Sequence, residues 1–125
     1  MQQPGQTQYP SEPGQQPSGM PVTTAFEFPA WRTERVIGPV FGLIVRSMGF
    51  AKGFGAAWKT LKGGEVSQYT ELLEDSRRHA MDRMIENARL LGANAIVGMR
   101  FDSSEIGESL TEIVAYGTAV VVSAG

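Results

Sequence analysis

Four side chains have the types and spacing that metal chemistry needs: Asp75, His79, Asp82 and Glu86. Positions three, four and seven apart share one face of a helix, so three carboxylates and an imidazole can line up there. His79 is the sole imidazole and there is no cysteine. A transition-metal site usually takes three or four nitrogen- or sulfur-rich ligands, so this set needs help from elsewhere, such as copies of the same chain. The competing reading is a solvated face of ion pairs, because Arg78 and Arg83 are interleaved with the acids. Acid–base catalysis would require these carboxylates to be buried, and the pattern puts them outside. No other group of residues points to a reaction. The expectation is therefore a protein that is not an enzyme, with a divalent transition metal as its one candidate cofactor.

The element that must carry these residues runs from about Val66 to Leu91. Tyr69, Leu73, Ala80, Met84 and Leu91 form an apolar stripe on the opposite side of the helical wheel. Ser67 suits its N-terminal cap, followed by Thr70 and Glu71. Gly92 suits its C-terminal cap, after which Ala95-Ile96-Val97 opens a strand. Val36 to Arg46 is an earlier strand, with Gly38 and Gly42 marking a bulge or a close backbone approach. Its glycines match no phosphate-loop pattern. Ala95 to Asp102 and Leu110 to Ala124 complete the set, joined by a polar connection through Asp102-Ser103-Ser104-Glu105 and Gly107. The fold class is α+β, a small β-α-β-β domain with an antiparallel sheet. Its strands are apolar on both faces, yet one helix can cover only one, so a second copy of the chain is the expected cover for the other.

Residues 1–21 are almost wholly Gln, Pro, Gly, Ser and Thr, which predicts a disordered tail ahead of a domain spanning 22–125. Phe26, Phe28 and Trp31 predict an extended lead-in laid against the domain or a neighbouring subunit, with an edge strand interrupted at Pro29. Met48 to Leu61 reads as a short cationic helix, with Phe50, Phe54, Ala57, Trp58 and Leu61 opposite Lys52 and Lys59. Its expected role is packing on the sheet or on another subunit, with docking on a membrane surface through residues 50–62 as the alternative. A net charge of −2 gives no general attraction to nucleic acid, so neither nucleic acid nor membrane is an expected partner. No run of roughly 18 apolar residues and no signal peptide are visible, which makes the cytoplasm the default location.

Taken in order, Thr23-Thr24, Gly38, Val40, Gly42, Gly63-Gly64, Tyr69, Leu72, Gly92-Ala93-Asn94-Ala95-Ile96-Val97-Gly98, Phe101-Asp102 and Gly117-Thr118-Ala119-Val120 resemble the YbjQ family. This is a group of small bacterial and archaeal proteins labelled heavy-metal-binding. The resemblance spans roughly residues 23–124. It implies a subunit related in architecture to dodecin, whose copies close into a ring, a homopentamer or a pair of pentamers. It supplies no catalytic residue, since the matching positions are glycines, alanines and core residues.

Overall fold

The computed structural model describes residues 19–47 and 67–125. Three strands, β1 (Trp31–Ser47), β2 (Ala95–Ile106) and β3 (Leu110–Ala124), form one antiparallel sheet in the order β1-β3-β2. The helix α1 (Ser67–Leu90) lies across one face. The expected tail up to residue 18, the expected cationic helix and Gly63-Gly64 lie outside the described residues.

Alternation along the strands sorts their side chains into two layers. On the inner face, Val40 and Ile44 of β1, Ile96 and Phe101 of β2, and Ile113, Ala115 and Ala119 of β3 pack against Ala80, Met84 and Ala88 of α1. Small residues let the helix sit low. A Cβ built on Gly42 would stand 2.2 Å from Met84 N and 2.3 Å from Ala80 O, so the β1 and α1 backbones touch where that side chain is missing. Ser76, the one buried polar residue among the described residues, turns its hydroxyl back to Leu72 O at 2.8 Å. That local bond satisfies the hydroxyl without a partner from the core.

The helix ends as its glycine dictates. Gly92 has φ +91°, Gly92 N donates to Arg89 O and Ala93 N donates to Ala88 O, the paired bonds of a Schellman cap. Asn94 then imitates a strand residue with its side chain: Nδ2 donates to Val122 O at 2.9 Å and Oδ1 accepts from Val122 N at 2.8 Å. Leu91, placed on the apolar stripe by periodicity, is 53 % exposed, and Leu90 is 76 % exposed. The helix ends at Leu90, so Leu91 falls in the C-terminal cap and no longer follows the helical stripe.

On the outer face part of the expected aromatic lead-in lies against its own domain, while Phe26 stays exposed. Phe28, packed on Trp31 with ring centroids 4.7 Å apart, closes over Ala95, Val97, Val120 and Val122. The chain's own lead-in therefore roofs one half of this face. Residues 21–25 reach it by pairing along the β2 edge: Ile96 N donates to Pro21 O, Thr23 N to Ile96 O, Met99 N to Thr23 O and Gly98 N to Ala25 O. Met20 and Pro21, assigned to the tail by composition, are buried by that pairing. Pro29 interrupts no strand; it precedes a turn at Ala30 (φ 68°), and β1 starts at Trp31, five residues before the expected Val36. β2 likewise continues through the polar stretch to Ile106, with the turn at Gly107.

A methyl group at position 42 has no space, so Gly42→Ala should lower stability by about 3 kcal/mol, at the upper end of the usual cost of overpacking. Phe28→Ala should cost a similar ~3 kcal/mol through the cavity it leaves. Urea denaturation of each variant checks both values.

Candidate functional site

Of the four candidate ligands, the structure brings two together. Asp75 and His79 sit one turn apart on α1, and Arg46, near the end of β1, reaches across to both. Arg46 Nη2 donates to Asp75 Oδ2 at 3.1 Å and to His79 Nδ1 at 2.8 Å. His79 Nε2 lies 3.8 Å from Asp75 Oδ1, too far for a hydrogen bond. Arg46 Nε is buried with no acceptor among the described residues, so its grip on the helix runs through Nη2. Asp75 and His79 are about half exposed, which makes this a surface cluster with one partly sheltered member, the 29 % exposed Arg46 side chain.

Asp82 and Glu86 lie elsewhere. Glu86 pairs with Arg89, and Asp82 is exposed with no ion pair or hydrogen bond among the described residues. Eleven residues of helix separate Asp75 from Glu86, a rise of about 16 Å, so one ion cannot span the series. Among the described residues no three of His, Cys, Asp or Glu stand close enough to hold a metal ion. The donor set of the described residues therefore does not fit a heavy metal: the one imidazole already gives its Nδ1 lone pair to a guanidinium. Periodicity along the helix could not have revealed Arg46, which stands 29 residues before Asp75 and 33 before His79.

The second feature is apolar. On the outer face, away from the lead-in, Phe41, Leu43 and Val45 of β1 alternate outward and are 59 %, 37 % and 49 % exposed. Their cross-strand partners are Tyr116, Val114 and Glu112 of β3. Tyr116 is itself 43 % exposed and faces Arg100 on β2. At the helix end, Pro39, Val40, Phe41, Asn87, Leu90 and Leu91 line an open groove of about 350 Å³. Asn87 Nδ2 donates to Phe41 O at 2.8 Å and ties its two walls together. The doubly apolar reading of β1 had pointed to this half of the sheet. Nothing in the sequence separated it from the half that the lead-in covers.

Cation–π contacts and short ion pairs account for much of the remaining charge. Arg77 lies over Phe101 with its guanidinium carbon 5.2 Å from the ring centre, and Arg100 lies over the exposed Phe26 at 5.9 Å. Arg100 Nη1 also donates to Thr24 O, which pins the lead-in. At the start of β1, Glu34 accepts from the Ser123 hydroxyl and from Arg32, and these contacts lower its pKa below the ordinary glutamate value. No helix among the described residues is long and apolar enough to cross a membrane.

Comparison with known proteins bears on the whole domain. A family model described as "Putative heavy-metal-binding" matches residues 20–123. A UPF0145 protein of Bradyrhizobium sp. (strain ORS 278) is 51% identical over 107 residues, covering 86% of this chain and 96% of the relative. A UPF0145 protein of Burkholderia lata is 52% identical over 101 residues, covering 81% and 85%. Among solved structures, a Pediococcus pentosaceus protein of unknown function from the DUF74 family superposes with a TM-score of 0.50 at 13% identity, covering 82% of this chain and 97% of that one. That likeness concerns the fold, and it agrees with the α+β arrangement of one helix on a three-stranded antiparallel sheet.

The depressed Glu34 carboxyl sets an acid dependence. Its contribution to stability is complete above the ordinary glutamate range and is lost as pH falls through the lowered value. Carboxyl NMR should find Glu34 titrating below the ordinary glutamate value, and Ser123→Ala should move its midpoint back up.

Proposed function

The chain belongs to the YbjQ family, and on that premise we propose that it works as a self-assembling, non-catalytic module of the cytoplasm. Its copies associate through the open half of the outer sheet face and hold any ligand between them. The observation that carries this reading is the row Phe41, Leu43, Val45 and Tyr116, apolar and open to water beside a half of the same face that the chain covers for itself. A ring of five copies, or a pair of such rings, is the assembly that the resemblance to dodecin-like subunits implies.

Magnitudes favour a broad contact over a narrow one. Each of these partly exposed side chains would contribute roughly 1 kcal/mol on being covered. Association costs about 4–15 kcal/mol in lost freedom, so four such residues barely reach the lower limit. The groove leucines Leu90 and Leu91, with Ile106 and Leu110 beside the hairpin turn, roughly double the apolar area on offer. Among the described residues β1 is an edge strand of the sheet, and an edge of this kind can add backbone hydrogen bonds to the same surface.

The metal in the family description fits this scheme as a ligand shared between copies, since the donors among one chain's described residues do not converge. Contributions from neighbouring protomers would raise the ligand count at a common axis or interface.

Native mass spectrometry and light scattering should find an oligomer at micromolar concentration. The pair Phe41→Glu and Leu43→Glu, at positions already open in the protomer, should release monomers with unchanged circular dichroism. A wild-type chain that stays monomeric would sink the proposal.

A further inference from the structure

We propose that the Arg46 guanidinium is a built-in cation that takes the place of a metal ion at the Asp75–His79 pair, so that this chain keeps transition metals off its single histidine. An aspartate and a histidine one helical turn apart, with both side chains on the surface, are a natural pair of metal ligands. Here a third group, from another element, already lies against both.

The argument rests on hydrogen-bond direction. Arginine carries donors only and does not lose its proton in proteins. At 2.8 Å from Nη2, His79 Nδ1 therefore has to be the acceptor, and its lone pair points at Arg46. In a neutral imidazole the ring proton then sits on Nε2. A metal ion approaching Nδ1 must displace the guanidinium. An ion approaching Nε2 forces the ring proton onto Nδ1, where N–H would face N–H. Either route sacrifices the Arg46–His79 bond between β1 and α1, and in the Nδ1 route the incoming cation also meets a resident positive charge. Asp75 is committed in the same way, its Oδ2 accepting from the same Nη2 at 3.1 Å.

This inference is independent of the assembly proposed above and concerns the protomer's own chemistry. It also gives the cluster a positive role: the three side chains are an interstrap of β1 and α1, neutral in sum with His79 uncharged, that replaces the ionic staple a metal would provide.

The test uses the intact 125-residue chain, zinc as probe, and ¹⁵N correlation spectra of the His79 ring near neutral pH. The wild type should show the Nε2–H tautomer, with ring signals that stay in place when zinc is added in molar excess. Arg46→Met, which keeps the apolar stem and removes the cation, should show His79 signals that shift or broaden on adding the same zinc. Zinc-induced shifts at His79 in the wild type, a predominant Nδ1–H tautomer, or a folded Arg46→Met variant as indifferent as the wild type would each overturn the proposal. Should Arg46→Met fail to fold, the tautomer and the wild-type titration still decide. Light scattering on the same samples reports assembly separately.

Discussion

The contact of two backbones at Gly42 governs how this domain is put together. A helix normally stands off a sheet by the length of the side chains between them; here the missing Cβ on β1 lets α1 touch the strand at Ala80 and Met84. With the separation set there, polar side chains can bridge strand and helix on either side. Arg46 reaches Asp75 and His79 toward one end, and Asn87 reaches Phe41 O toward the other. Both would be out of range if an ordinary side chain held the elements apart. The cation cluster and the apolar groove are therefore two consequences of one close approach.

The outer face follows a different rule, that of a strip of chain too short for the area beneath it. Residues 21–31 run along the β2 edge and then cross over, and two of their three large aromatics, Phe28 and Trp31, cover one half of the face. The edge pairing that anchors this strap also protects part of β2 from pairing with other chains. What remains uncovered is continuous, running from Phe41 to Val45 on β1 and on to Tyr116 on β3. On a chain of only −2 net charge, little long-range repulsion opposes contact between copies across such a surface.

The charged side of the helix and the family description pull in different directions. Ligand types are present on α1, but ligation needs free lone pairs converging within a few ångströms. Helical rise spreads Asp75, Asp82 and Glu86 along the axis, and a fixed cation occupies the lone pair of His79. Composition counts such groups without registering either condition. Among the described residues of one chain, neither condition is met by three such groups together.

By itself the sequence determined the order and type of the described elements, from the Gly92 cap to the long β3, because periodicity and turn residues act over a few neighbouring positions. It also identified Gly38 and Gly42 as special, and Gly38 indeed lies at a shift in the β1–β3 register with φ +144°. Tertiary structure alone decided that Phe28 and Trp31 would roof half the outer face, that Leu90 and Leu91 would line an open groove with β1, and that Arg46 would claim Asp75 and His79. Each of these joins residues far apart in the chain, and the distance between them in space depends on how closely a helix and a sheet pack, which no local pattern encodes.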